Sequence, residues 1–517
     1  MSAMFSPRRA SAVYSLPTKG PLIRSIDANG ITPEGLFQRL KGPFLFDGSM
    51  GGWFDGAHSL IGLSPFAVFQ SKRKEAFFEF TLPSGERTRT DYQNKDPLTL
   101  LQGYLNRFKP LLNHPPENKP FPFLYGGAAG FIGYDLIQQI ESIPLHQGEN
   151  EIPDIHIVFI NHFVLFERAT KLLHIVYNPA PLIELGWNRQ EAYSRGCQRI
   201  ETTLSDMVFP LTSAPSSGMP GLAVGEEWGE KTEPSVLVGT PLVAPLASAY
   251  INIVERAKEY IAAGDIFQAN LSHRFSAPFH GPSIFPLYQR LRSINPSPFA
   301  VYLNMGGIEM AGASPERLVR ITREGDAVII ETRPIAGTRP RGKTEEEDQK
   351  QVAALYDSAK EMAEHLMLVD LERNDIGKVA RIGTVKVDAM LTLEQYSHVS
   401  HLVSNIAGVL DKSVEATDAV RALFPGGTVT GVPKIRCMQI IAELEKLPRG
   451  LYTGSVGYFD FSGEIDMNIV IRTFIRCGNE IHFHVGAGIV ADSVAEMEYQ
   501  ETLQKAAALL MAMKEVQ

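Results

Sequence analysis

Acidic, cationic and imidazole side chains recur between glycine-rich turns through the C-terminal half of this chain. In order they lie in SPER, PIAGT, AEHLMLVDLERND, HLVS, FPGGTVTGVPK, YTGSVGY, IVIRT and VGAGIVADSVAEMEYQETLQK. No one segment decides a chemistry. Together they offer two glutamates on separate predicted helices, an arginine, a histidine, a lysine and several glycine loops. That set suits a small, doubly carboxylated substrate held through a divalent metal, so the chain reads as an enzyme.

Within IDMNIVIRT, period-two alternation puts Asp466, Asn468, Val470 and Arg472 on one face. An arginine there can grip a carboxylate through two parallel donors, with a rim salt bridge as the plain alternative. In the last predicted helix Glu498, Glu501 and Lys505 share a face, where surface pairing of Glu501 with Lys505 would be an ordinary explanation. Glu364 precedes an apolar helical stretch and needs a cation or a metal as partner. Two glutamates from separate helices, completed by substrate oxygens and water, make an economical Mg²⁺ site.

Two glycine-rich segments invite other readings. VGAGIVA (Val485 to Ala491) has the GxGxxA spacing of a dinucleotide fingerprint, but too little chain follows it for the rest of a βαβ unit. GGTVTGVPK resembles a phosphate loop, yet Val432-Pro433 stands where a Lys-Ser/Thr pair is needed, and Pro433 suits the first position of a helix. Cys437, inside KIRCMQIIAEL, reads as a small core residue.

The elements that must position these groups follow from composition and period. Hydrophobic residues make up 44% and charged residues 21%, with net charge −9, values of an ordinary globular protein that exclude a basic nucleic-acid surface. No stretch is apolar enough to span a membrane, no secretory signal opens the chain, and three scattered cysteines suit a reducing cytoplasm. A Pro/Gly/Ser-rich segment, residues 210–245, separates an N-terminal part, 1–209, from a C-terminal part, 246–517. The N-terminal part reads as mostly strands with a scaffold or regulatory role; Phe121 to Pro144 suggests a small-residue strand and then an amphipathic helix. In the C-terminal part, helices are expected from Ala247 to the stop at Gly264, and along Glu345 to Asp370. From Tyr452 an antiparallel meander with turns at Ser462-Gly463 and Gly478-Asn479 leads into a terminal helix from about Ala495. This mixture predicts an α+β layered fold.

The ordered motif set resembles the chorismate-utilising family, which includes anthranilate synthase component I, aminodeoxychorismate synthase component I, and the isochorismate and salicylate synthases. The resemblance covers nearly all of residues 246–517 and reaches the N-terminal part through SLIGLSPF (Ser59 to Phe66) and GGAAGFIGYD (Gly126 to Asp135). It implies a layered α/β sandwich with two antiparallel sheets, the N-terminal region forming a subdomain. It also implies that Glu364 and Glu498 hold Mg²⁺, which binds the ring carboxylate of chorismate. By the same resemblance Tyr452 and Arg472 grip the enolpyruvyl carboxylate, and Gly486, Ala487 and Gly488 give backbone contacts. Lys505 lies near the metal-bound carboxylate, Thr428 lines the pocket, His401 lies beside the ring, and Glu316 is the general acid for departure of the C4 hydroxyl.

Water-using members of the family carry a lysine base where this chain has Gln268, so the resemblance points to ammonia as nucleophile. The chain has no glutaminase elbow of its own, which implies a separate glutamine amidotransferase subunit. Aminodeoxychorismate synthases often carry a lysine where this chain has Ala336, which favours anthranilate as product. QANLSHRF, SPERLV, FPGGTVTG and EYQETLQKAA look more like the aminodeoxychorismate branch. Anthranilate synthases usually carry Leu-Leu-Glu-Ser and Pro-Tyr-Met elements for tryptophan feedback, and the corresponding stretches here read LFDGSM (Leu45 to Met50) and PFAVY (Pro298 to Tyr302). The expectation is therefore 4-amino-4-deoxychorismate, with anthranilate as the alternative and a catalytically silent scaffold subunit as a second one.

Overall fold

The computed structural model describes residues 20–48, 52–109, 126–141, 143, 152–208, 242–342, 344–357, 359–395 and 399–515. Most of the stretch expected as a linker, 210–245, lies outside them. Two large sheets, antiparallel throughout, form the frame. Among the described residues one has eleven strands, running from Leu22–Asp27 at one edge to Gln268–Pro278 and the two-residue Gly431–Val432 at the other, and the second has twelve. This is the expected α+β sandwich.

In each sheet the strands from before residues 210–245 form one block and those from after it another, and the two blocks meet at a single pairing. Phe44–Gly48 pairs with Phe299–Met305 in the first, and Gly127–Ile132 pairs with Ser455–Asp460 in the second. The N-terminal part thus supplies strands to the same sheets that carry the C-terminal motifs. Between the sheets Phe44, Phe46, Phe163, Leu165, Val301 and Met310 pack with Ala129, Phe131, Val158 and Val456 in one buried cluster. Central strands such as Ile155–Ile160 (IHIVFI) are buried along their whole length and read as continuous apolar runs. The edge strand Arg87–Gln93 (RTRTDYQ) is polar, which discourages pairing with other chains.

Three local expectations changed on folding. The meander from Tyr452 is divided between the sheets: Ser455–Asp460 and Ile465–Ile469 form a hairpin in the second, Thr473–Cys477 and Glu480–Ile489 one in the first. The chain crosses at Val470–Arg472, so side-chain alternation does not run through to Arg472. Ile471 N–H bonds back to Ile469 O at 3.0 Å, and Arg472 takes φ 51°, a left-handed value that costs an arginine roughly 1 kcal/mol or more. By contrast, the helix pattern from Glu345 is met by the helices Glu345–Asp357 and Ala359–Gly377, the second running on past Asp370. After Gly127–Ile132 the expected amphipathic helix is a 3-10 turn, Tyr134–Leu136, and a single α-turn, Ile137–Ile140. Pro433 caps the helix Lys434–Leu444 in extended conformation and is not its first residue. The helices Ala247–Ala262 and Ala495–Glu515 form where periodicity puts them.

Candidate active site

Strand Glu480–Ile489 organises the site. It pairs with Gln268–Pro278, in a register that sets Gly488 opposite Asn270 and Gly486 opposite Ser272. Alternation turns Ala487 the other way, into a core cluster with Tyr250, Leu271, Cys437 and Tyr499, so only its backbone is available on the site side. A Cβ at Gly488 would stand 2.7 Å from Gln268 Nε2 and 3.1 Å from Glu364 Oε1. One at Gly486 would stand 2.9 Å from both Asn270 Oδ1 and the Tyr452 hydroxyl. The glycines therefore let four polar groups from three separate segments close on one stretch of bare backbone.

Gln268 Nε2 donates to Glu364 Oε1. An amide committed to a carboxylate offers a hydrogen bond and no basicity. Glu364 comes from helix Ala359–Gly377, whereas Glu498 comes from the first turn of helix Ala495–Glu515, which packs on the glycine strand. Glu498 is buried, and its charge, after burial itself, helps hold the Tyr250 phenol in its neutral form. Lys505 Nζ donates to Gly486 O at 2.9 Å and pairs with Glu501 Oε1 at 2.7 Å, so the surface pair anticipated from sequence also anchors the helix to the strand. Among the described residues no group of three or more His, Cys, Asp or Glu is placed to cage a metal.

Glu316 lies where strand Ile308–Ser314 turns into Arg317–Glu324. It is 6% exposed, and its backbone carbonyl accepts from Ile469 N–H at 3.0 Å, beside the crossover that delivers Arg472. Burial pushes its carboxyl up to about 7 against the opposing pull of Thr428, Arg472, the Ile335 N–H and Lys505. Thr428 Oγ1 is close enough to favour the carboxylate, yet neither it nor Glu316 Oε1 makes a hydrogen bond of good geometry. Desolvation pulls Arg472 below the usual guanidinium range, with Glu316 opposing. Burial, with Arg472 adding to it, lowers His401 to about 4, so it is a neutral imidazole at physiological pH. His401 lies on strand Val399–Val409, opposite Thr338 on one side and Glu394 on the other; Ala336 is opposite Leu402 in the same ladder.

The geometry joins these residues in two groups. Gln268, Glu364, Tyr452, Gly486, Gly488 and Lys505 surround the end of the glycine strand. At the sheet crossover Arg472 acts on the ionisation of both Glu316 and His401, Thr428 acts on that of Glu316, and Lys505 acts on Glu316 from the first group. Buried polar atoms without partners mark the same region: Gln268 Oε1, Asn270 Oδ1, Glu316 Oε1 and Thr428 Oγ1. Such atoms are costly unless a ligand or water meets them.

Several contributors were not read from sequence. Asn270, two residues along the strand from Gln268, could have been found by that spacing. Arg449 and Glu445 form a buried pair, Nη2 to Oε1 at 2.7 Å and Nε to Oε2 at 2.9 Å. Through Val429 O, Thr453 Oγ1 and Asn270 O the guanidinium ties together the loop beside Thr428, the residue after Tyr452 and the Gln268 strand. Glu445 in turn accepts from Ser272 N–H at 2.7 Å. His484 stacks on Tyr452 with 5.0 Å between ring centres. In the sequence, Arg449 sits in KLPRG and resembles any loop cation. Cys437 is buried, donates to Gln268 O and has its thiol pushed up to about 12 by burial, as suits a core residue. VGAGIVA is the end of an antiparallel strand and not a strand-to-helix phosphate turn.

The chorismate binding enzyme family matches residues 46–511. Anthranilate synthase component 1 of Bacillus caldotenax is 38% identical over 506 residues, 96% of this chain and 94% of that protein. The protein of the same name from Thermus thermophilus is 42% identical, covering 88% and 89%. Aminodeoxychorismate synthase component 1 of Bacillus subtilis is 36% identical, covering 93% of each. Among solved structures, anthranilate synthase component I from Streptococcus pneumoniae superposes with a TM-score of 0.69 at 31% identity, over 88% of this chain and 92% of that one. The menaquinone-specific isochorismate synthase of Escherichia coli, 18% identical with a TM-score of 0.62, shares the fold over 96% and 95% of the chains. A two-sheet sandwich with glycine strand, buried glutamate and crossover arginine, matched over nearly its whole length, makes this chain a member of the chorismate binding enzymes.

Proposed function

We propose that the chain aminates chorismate with ammonia to give 4-amino-4-deoxychorismate. Ammonia as nucleophile rests on one observation: Gln268, the position a water-activating base would need, donates its amide to Glu364. In this reading Glu364 and Glu498 hold Mg²⁺. Their hard carboxylate oxygens suit that ion, and the unpartnered Gln268 Oε1, on the amide bonded to Glu364, and Asn270 Oδ1, against Gly486, are there to meet substrate or water. When bound, the cation neutralises the ring carboxylate. Arg472 and Tyr452 orient the enolpyruvyl carboxylate, the bare backbone at 486–488 lets the ring approach, and Lys505 adds positive charge. Glu316, protonated by virtue of its burial, gives its proton to the departing C4 hydroxyl. A glutamine amidotransferase subunit supplies the ammonia; the "component 1" in the relatives' names fits a two-part enzyme.

The product assignment is supported by what fills the space between LFDG and PFAVY, the stretches that correspond to tryptophan-feedback elements in anthranilate synthases. Their strands pair directly. Trp53 is fully buried there, packs against Phe46 and Phe299 with ring centres at 4.8 and 4.9 Å, and donates its indole N–H to Ala300 O at 3.1 Å. Gly48 stands where the feedback serine belongs, and a Cβ there would lie 2.2 Å from Trp53 O. Free tryptophan up to millimolar concentration is therefore expected to leave turnover unchanged, measured as chorismate consumption.

Anthranilate remains the second reading. Ala336 favours it, as do the names of several similar proteins. Incubation with chorismate, Mg²⁺ and ammonium at alkaline pH separates the two. 4-Aminobenzoate that appears only after an aminodeoxychorismate lyase is added supports the proposal, whereas anthranilate fluorescence arising directly overturns it.

A further inference from the structure

Beneath the crossover lies a second buried acid that the mechanism above does not use. Glu372 sits about two turns beyond Glu364 on helix Ala359–Gly377 and is 5% exposed. Its Oε2 accepts from Thr332 Oγ1 at 2.9 Å, on the strand Ala327–Arg333. Three residues further along the backbone, the N–H of Ile335 favours the Glu316 carboxylate. From above, the Cβ position of Gly427 is 3.9 Å from Glu372 Cγ, and the next residue, Thr428, borders Glu316. The two carboxyls thus face a common stretch of strand and a common loop.

The charged surroundings are few. Lys434, at the start of helix Lys434–Leu444, bonds to Asp375 Oδ2 and to Leu423 O at 3.1 Å. It favours the Glu372 carboxylate, while Asp375, one turn along the same helix, opposes it. On the Glu316 side stand Arg472 and Lys505, and on strand Val399–Val409 His401 is neutral. Burial, then the proximity of Glu316, pushes Glu372 up to about 8.

We infer that Glu372 is a positioning residue for proton delivery: with Glu316 it forms a coupled buried carboxyl pair that keeps one proton into alkaline solution. Two like charges in so dry a site cannot both form easily, so the last proton belongs to the pair and not to either residue. Whichever carboxyl of the pair ionises first strengthens the other's hold on the remaining proton. The amination needs two species whose pH windows barely overlap, unprotonated ammonia and a protonated acid. The pair widens that overlap. As the C–N bond forms, Glu316 passes its proton to the leaving C4 oxygen, which departs as water, and the surplus proton of the attacking ammonia restores the pair.

This inference rests on Glu316 being the acid, and the test separates the two. Rates are measured against pH at fixed free ammonia for wild type, Glu372→Gln and Glu316→Gln. In Glu372→Gln the side-chain amide can still accept from Thr332 but cannot ionise. The alkaline limb of kcat/KM is expected to move acidward, from the last proton loss of the pair toward that of Glu316 alone, a shift of up to about one pH unit. An unmoved limb, with Glu316→Gln inactive, overturns the pairing alone. An active Glu316→Gln overturns the acid and the pairing with it. Should Glu372→Gln fail to fold, infrared titration of the wild type decides: a protonated carboxyl band persisting to about pH 8 supports the pair, and its loss by about pH 6 overturns it.

Discussion

Glu316 derives its chemistry from position, not from residue type. A solvent-exposed glutamate is ionised at neutral pH; this one is held near half-protonation because burial costs the charged form more than Arg472 and Lys505 return. Glu316→Gln keeps the size and loses the proton, and is expected to lower kcat by about 10²–10⁴-fold with little change in the KM for chorismate. A loss confined to KM would make Glu316 a binding residue instead. For Glu498→Ala the expectation is different: Mg²⁺-dependent activity disappears while the thermal unfolding midpoint stays within a few degrees of wild type. Full wild-type turnover in excess chelator would contradict the assignment of both glutamates to a metal.

At the scale of elements, the site depends on a strand that lacks side chains on one face and on a second strand that changes sheet. Gly488→Ala puts a methyl 2.7 Å from Gln268 Nε2 and 3.1 Å from Glu364 Oε1, inside the contact distance of both. The strand cannot yield, being paired along its length with Gln268–Pro278, so the two polar side chains must move. The Mg²⁺ concentration for half-maximal activity is expected to rise at least tenfold, while circular dichroism is unchanged; an unaffected requirement for Mg²⁺ would remove Glu364 from the metal site. The crossover at Val470–Arg472 works on the same principle. Its left-handed turn delivers the guanidinium to Glu316 and His401 at a junction that neither sheet could reach with a regular strand.

For the whole molecule, burial of imidazoles sets the acid limit. His156, His273, His365, His401 and His482 are lowered to about 4, and His162 to about 3, each chiefly by desolvation. Below about pH 6.5 the unfolded chain takes up protons that the folded chain refuses, so stability falls with pH from there toward 4. Each group contributes about 1.4 kcal/mol at one unit below its unfolded value. Glu316, Glu372 and Asp466 act oppositely, since their raised values favour the fold as pH drops below about 8, but the lowered imidazoles, His58 and His484 among them, outnumber these acids. The midpoint of urea unfolding should therefore decline steeply between about pH 6.5 and 5, and a flat profile over that range would show that the histidines are solvated.

Much of this was legible before folding. Periodicity placed the helices at Ala247 and Ala495 and the two hairpins after Tyr452, because those signals are local: an apolar stripe, a turn glycine, an alternating strand. The ordered motifs identified the family and put forward Glu316, Glu364, Arg472, Glu498 and Lys505 as candidates. Local pattern does not encode which sheet a strand joins, so the switch at Val470–Arg472 and the joining of an early and a late block of strands in each sheet appeared only in three dimensions. The same holds for Arg449, Glu445 and Glu372. Each resembles an ordinary loop or helix charge in sequence, and only long-range packing removes it from water, where burial gives a charge its partners and its proton affinity.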